Sequence, residues 1–550
     1  MTIERRQCLH PLTRSDIGVS ILVGICALAL YVRTLAPSLL WSDSAELQTL
    51  ASTLGMAHST GYPIYLLIGK LFTLLPVGSV AYRVNLLSAW AAALTLALLY
   101  LLGRSLGCRH IAALVGPLAL GLCTLFWWHA VIAETYTMSA LFITAVLLLV
   151  VRWRHTANWR YLFAAGVVGG LSLGVHTTVA LTAPTVLLYL LLTARRRADW
   201  AGAVAGAAVG VVLTGAAFLF LDMYDAPASF YNSTARPWLS RWGLYPYGFA
   251  TPFQRIAFIV SARQFNWAIH RVPLPELGQR LQQYAQFFLT GGWTLLTIAL
   301  AVLGLVVSLL RRSGGVWATW REALMLLLIW LTLLVFVLNY NVFDVYVFYI
   351  PTYVPLAVLA SLGASTLLDG AAWLLRRTGA GRAVSYGTAL IGVLLLLNVI
   401  WPMGAAVRDS VAAGHITFLD NTDFAEFPYP VHAPNRPYDR GLQLANEVED
   451  NAIVFTNWGT VFTLYYVAHV EQGRTGIAVH EWFSQNDDPA ANISVIRYID
   501  ANLGKRPIYF TYIPDSLRPI YSFEQVQNDN ELFRITQRSA IQLNAVPTAP

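Results

Sequence analysis

Two carboxylates, Asp43 and Glu46, stand three positions apart in the run Trp41-Ser-Asp-Ser-Ala-Glu. On a helix that spacing puts both on one face. The pair follows directly on the first long apolar run of the chain. A carboxylate so placed can take the proton of an acceptor hydroxyl as the oxygen attacks an electrophilic centre. The same spacing ahead of an apolar run is also that of a capping box, with Asp43 at the N-cap and Glu46 at N3. The residues alone leave both readings open. A third acid, Glu134, follows Trp127-Trp128-His129 where another apolar run begins. An ionisable group at a membrane boundary points to function, although an acid in a first turn also complements the helix dipole.

The elements that must position these groups are membrane spans. The chain has 550 residues, of which 57% are hydrophobic and 12% charged, against about a quarter charged in soluble domains. Spanning-length apolar runs fall near 17–35, 80–103, 110–128, 134–151, 161–176, 178–194, 201–221, 289–310, 322–340, 346–368 and 382–403. About eleven spans are therefore expected, the pair at 161–194 being short for two. The first run is read as a retained span, not a signal peptide. Tyr62–Leu75, bounded by Pro63 and Pro76, reads as an interfacial or re-entrant helix.

Net charge is +7, but the arginines sit in short clusters between the apolar runs, the pattern of cytoplasmic anchors and not of a nucleic-acid surface. Placing Arg5, Arg6 and Arg14 inside also places Arg104/Arg109, Arg152/Arg154/Arg160, Arg195–Arg197, Arg311/Arg312/Arg321 and Arg376/Arg377/Arg382 inside. The segments left outside include a first loop at 36–79, a large loop at 222–288 and the tail. The expected organisation is a helical membrane domain over 1–403 and a small extracytoplasmic α/β domain over 404–550. In the tail, 452–457, 476–480, 507–512 and 532–537 read as strands, and 460–470 and 492–503 as helices. Cys8, Cys26, Cys108 and Cys123 have no metal-ligand spacing.

Residues 35–101 resemble the opening of the prokaryotic relatives of the eukaryotic transmembrane protein O-mannosyltransferases. The resemblance rests on Ala36-Pro37, Trp41-Ser-Asp43-Ser-Ala-Glu46, His58-Ser-Thr-Gly61-Tyr62-Pro63, Leu75-Pro76 and Arg83-Val-Asn85-Leu-Leu-Ser88-Ala89. It continues through Ala133-Glu134-Thr-Tyr136 and the stretch from Asn339 to Asp344 and Pro351. Ala45 stands where the pattern commonly has glycine, and Ser59 where it has proline. The resemblance implies a GT-C type glycosyltransferase: a polytopic helical fold with an essential acid in the first extracytoplasmic loop. Its donor is a polyprenyl-phosphate sugar, with a mannose-like sugar expected.

Carried over residue by residue, the resemblance makes Asp43 the general base, Glu46 a supporting acid or a cap, and Glu134 a group that positions the acceptor. Tyr62, Asn85, Tyr136 and Asp344 become candidate substrate contacts, joined by His58 and His176 as neutral donors or acceptors near the same face. A departing phosphate requires a cation or N–H donors. Arg83, at the mouth of the second span, is the first candidate, with Lys70, Arg255 and Arg263 behind it. The expected reaction is inverting transfer to a hydroxyl of a protein, lipid or glycan, at the outer face of a prokaryotic plasma membrane. A divalent metal stays open, since one Asp-x-x-Glu is not a ligand set. The competing reading is a transporter or flippase, which calls for inverted repeats and charges at mid-membrane.

Overall fold

A computed structural model of the chain describes residues 12–269, 272–311, 318–377, 381–412, 436–483, 489–527, 529 and 531–539. The helices in chain order are α1 (Arg14–Arg33), α2 (Ser42–Thr53), α3 (Pro63–Phe72), α4 (Val80–Ser105), α5 (His110–Gly121), α6 (Thr124–Ala130), α7 (Tyr136–Thr156), α8 (Trp159–Ser172), α9 (Ala183–Thr193) and α10 (Arg197–Tyr224). They continue with α11 (Pro252–Val260), α12 (Leu274–Thr290), α13 (Leu295–Leu310), α14 (Trp320–Leu338), α15 (Ile350–Arg377) and α16 (Gly381–Ala412). The C-terminal part adds α17 (Arg436–Glu447), β1 (Ile453–Thr456), α18 (Trp458–Tyr465), β2 (Ala478–Glu481), α19 (Pro489–Asn502), β3 (Ile508–Phe510), β4 (Tyr521–Gln525) and β5 (Phe533–Arg538).

Among the described residues seven helices are long and apolar enough to cross a membrane, and nine if each of two bent pairs is one span. The chain is an integral membrane protein. The bent pairs are α5 with α6, which turn by 70°, and α12 with α13, which turn by 112°. Of the eleven expected runs, the remaining two are α8 and the stretch Thr177–Thr193, both shorter than a straight span requires.

The chain folds into two compact units. The first comprises 1–36, 85–216 and 265–433, and the second 37–84, 217–264 and 434–550. The first unit is helical. Its backbones approach closely at small residues, as expected where lipid-like side chains give helices no hydrophobic reason to associate. Gly304 on α13 faces Gly363 on α15, and a Cβ on Gly363 would lie 1.8 Å from the Leu300 carbonyl oxygen. Only glycine fits there.

The second unit is built round a five-stranded sheet of order β2-β1-β3-β5-β4. β2, β1 and β3 run parallel, while β5 and β4 complete the sheet antiparallel. All four strands and both helices expected from the tail sequence are present, and α17 and β4 are added. Phe455, Phe510, Val495, Ile499 and Ile508 form the core with Trp238 and Trp482. The Trp238 indole, from the middle segment of the chain, donates to the Glu481 carbonyl at 2.8 Å. β2 and β3 lie on opposite sides of β1, so the strand order switches at β1. In parallel sheets such a switch leaves a crevice beyond the carboxyl ends of the strands.

A candidate carboxylate–histidine site

The site builds from α2. Trp41 is the N-cap of this helix and makes no side-chain cap, so Asp43 lies inside the first turn. The capping-box reading of Asp43 and Glu46 is set aside by this geometry, because neither carboxylate caps the helix. Asp43 Oδ1 instead accepts a hydrogen bond from the Trp458 indole Nε1 at 2.7 Å. Its Oδ2 lies 3.9 Å from His58 Nε2, and the Asp43 side chain keeps 37% of its surface open.

Glu46 is one turn along the same face and fully buried. Its Oε1 accepts from the His58 backbone N–H at 2.8 Å, and its Oε2 contacts His58 Nδ1. Burial pushes the Glu46 carboxyl above the ordinary carboxylate range, and the nearby Asp43 acts the same way, while the charge and hydrogen bonds of His58 oppose them. With Nδ1 directed at Glu46, the Nε2 atom of His58 faces Asp43 and Tyr62. The Tyr62 hydroxyl is 3.1 Å from Nε2 and 2.9 Å from the Ser59 carbonyl, to which it donates. Tyr62 and Trp458 close on the imidazole edge-on, with centroids at 5.2 Å and 5.6 Å. The imidazole is held in one orientation between an open carboxylate and a buried one.

The turn that delivers His58 to α3 depends on glycine. Gly61 has φ +89°, and a Cβ there would meet Phe218 at 2.8 Å and Ile259 at 3.0 Å. Tyr62 follows at φ 46° and Pro63 starts the helix, where its missing N–H costs nothing.

A further acid belongs to this group. Glu481, the last residue of β2, has its carboxyl pushed up to about 8, chiefly by burial. Arg241 opposes the shift, Glu46 and Asp43 add to it, and His58 opposes it. At neutral pH the group is mostly protonated and can donate a hydrogen bond. Trp458 and Glu481 were not singled out from sequence. Both lie at the carboxyl ends of the parallel strands β1 and β2, and that position is the signal that would have found them.

Other expected contacts of this unit lie elsewhere. The Arg83 fork donates to the carbonyls of Val77, Thr73 and Gly78, at 2.7, 2.7 and 2.9 Å, holding the turn between α3 and α4. Lys70 donates to the Ser52 carbonyl at 2.5 Å. Arg255 forms a two-bond pair with Asp222, and Arg263 is exposed.

The helical unit holds the remaining candidates. Glu134 precedes α7, where its backbone N–H and carbonyl both engage Ser88 Oγ. Tyr136 meets His129, His176 and Phe348 at centroid distances of 5.4, 5.8 and 5.4 Å. His176 Nδ1 is 2.8 Å from Thr178 Oγ1. Asn85 is buried and donates to the Ala36 carbonyl at 2.9 Å. Asp344 precedes the turn Val345–Tyr349 and accepts through its backbone from Val347. Tyr136 and His176 therefore pack together around Phe348, while Glu134 is tied through its backbone to Ser88.

Residues 43–199 match the family model described as the N-terminal domain of protein O-mannosyl-transferase TMEM260. The chain is 32% identical to protein O-mannosyl-transferase TMEM260 of Mus musculus over 173 residues, 31% of this chain and 24% of that protein. It is 26% identical to the Dictyostelium discoideum protein of the same name over 164 residues, 29% of this chain and 20% of that one. The matched stretch thus spans a quarter or less of these TMEM260 relatives. The crystal structure of ArnT from Cupriavidus metallidurans in the apo state aligns over 95% of this chain and 98% of its own, with TM-score 0.50 and 15% identity. This likeness shows the fold, the GT-C architecture that the opening motifs imply.

Proposed function

We propose that the protein is a glycosyltransferase that moves a monosaccharide, mannose or a close relative, from a polyprenyl phosphate to an acceptor hydroxyl. The observation that carries this reading is the Asp43 carboxylate, open on one side, held on the other by the Trp458 indole and facing His58 Nε2 at 3.9 Å. The TMEM260-type domain over 43–199 supports it. In the reaction Asp43 takes the proton of the acceptor hydroxyl, and the oxygen attacks the anomeric carbon from the face opposite the phosphate. The bond from that carbon to the phosphate oxygen breaks, the configuration inverts, and polyprenyl phosphate leaves with the electron pair.

His58 and Glu46 fix the direction of the Asp43 carboxylate and spread the charge around it. Protonated Glu481 adds a hydrogen-bond donor at the end of β2. With the Arg83 fork engaged by backbone carbonyls, Arg241 is the cation we assign to the leaving phosphate. The acceptor is a hydroxyl of a protein, lipid or glycan. The arginine clusters favour an extracytoplasmic site, and the short loops and the family resemblance favour a prokaryotic plasma membrane.

The test is incubation of the purified protein with radiolabelled polyprenyl-phosphate mannose and hydroxyl-bearing acceptors. Label in the acceptor supports the reading. No transfer from any sugar lipid overturns it in favour of the transporter reading.

A further inference from the structure

The helical unit contains a cavity of about 230 Å³ lined by Trp153, Arg154, Arg195, Arg196, Asp199 and Arg321. It lies at the C-terminal end of α7, and Glu134 immediately precedes the N-terminal end. The 21 residues of α7 rise about 30 Å at 1.5 Å each, the thickness of a bilayer's hydrocarbon core. The cavity therefore belongs to the membrane interface opposite Glu134.

Its charge is unbalanced. Four arginines line it against one acid, Asp199, which is buried. That acid is already engaged: Trp153 Nε1 donates to Oδ1 at 3.0 Å and Arg196 Nε to Oδ2 at 3.0 Å. Glu322, beside Arg321, is turned to other partners. It accepts from the Tyr189 hydroxyl at 2.6 Å and from the Thr319 N–H at 2.8 Å. Arg321 Nε is buried and has no hydrogen-bond partner among the described residues. A buried guanidinium N–H without an acceptor is costly, and an anion in the cavity removes that cost.

We propose that this cavity binds a phosphate group presented at the membrane surface, that of an anionic phospholipid headgroup. Guanidinium forks match phosphate oxygens in pairs, and basic pockets between spans on one membrane face take lipid headgroups. The volume is below the roughly 300–1,000 Å³ of sites for drug-sized ligands, so it fits a headgroup and not a whole nucleotide sugar. A bound headgroup would tie α7, α9, α10 and α14 together at this end of the unit.

The experiment is native mass spectrometry of the full chain in detergent, titrated with phosphatidylglycerol or phosphatidylcholine, with inorganic phosphate as competitor. The expected result is one retained phosphatidylglycerol per chain, weakened about tenfold or more in R154Q/R321Q. R195Q, a change at an exposed side chain, gives a smaller loss and serves if the double variant does not fold. Displacement of the lipid by inorganic phosphate supports the site through its phosphate chemistry. Binding of inorganic phosphate without phosphatidylglycerol also supports a phosphate site and assigns it to a soluble anion. Equal phosphatidylglycerol binding by wild type and both variants, or no selectivity over phosphatidylcholine, overturns the proposal.

Discussion

The Trp458 indole donates to the Asp43 carboxylate at 2.7 Å across 415 positions of sequence. Asp43 opens α2, and Trp458 opens the helix that leaves β1. The same unit carries Thr49 on α2, whose hydroxyl donates to the Phe462 carbonyl at 3.1 Å. The α/β part of the chain therefore supplies a second wall to the carboxylate site, beyond adding stability.

Removing that donor while keeping an aromatic ring isolates its role. Trp458→Phe is expected to lower kcat for sugar transfer roughly 10- to 100-fold, the worth of one hydrogen bond to a charged group. KM for the sugar lipid should change little, and the melting temperature should stay near wild type. A kcat equal to wild type would show that the indole does not orient the base.

His58 is expected to carry stability as well as orientation. His58→Ala leaves the fully buried Glu46 carboxyl without its imidazole partner, a loss of about 1–3 kcal/mol. Changing Glu46→Gln in the same chain replaces the stranded carboxyl with a neutral amide, so E46Q/H58A should be more stable than H58A alone. Chemical denaturation of the two variants checks this, and an E46Q/H58A protein less stable than H58A would argue against a coupled pair.

Glu481 predicts a pH dependence. Its carboxyl is raised to about 8 from an ordinary value of 4.5, so the folded state holds a proton that the unfolded state loses. The stability from this group is full below about 4.5 and declines as pH rises through 8. Above 8 a new negative charge stands near Asp43 and Glu46. Transfer by the wild type should therefore fall on an alkaline limb near 8, and Glu481→Gln, which cannot ionise, should flatten that limb. Rate against pH for the two proteins measures it; identical limbs would exclude Glu481 as their source.

Much of the fold was legible because bilayer thickness forces long apolar runs, and all eleven runs are helical. The count differs from the number of straight spans where the backbone turns within a run, at Leu122-Cys123 and at Gly291–Thr294, and where α8 and Thr177–Thr193 fall short of a straight span. The Asp43 and Glu46 pair was legible from its motif, but its role was not. Capping and catalysis share one spacing, and only the start of α2 at Ser42 separates them. Arg83 looked suited to a phosphate because it is a cation at a membrane boundary. The turn over 73–78 has carbonyls that need donors, a local demand that residue type does not reveal. Trp458 and Glu481 were hidden by distance in sequence, since strand order, and with it the crevice at β1, depends on long-range pairing.

The central claim is that Asp43 accepts the proton of the attacking hydroxyl. Its most direct measurement is the single-turnover rate of label transfer from polyprenyl-phosphate mannose by wild type and by Asp43→Asn. Asparagine keeps an oxygen for Trp458 but cannot take the proton. The account predicts a rate at least 100-fold lower, with sugar-lipid binding retained. A rate unchanged from wild type would contradict it.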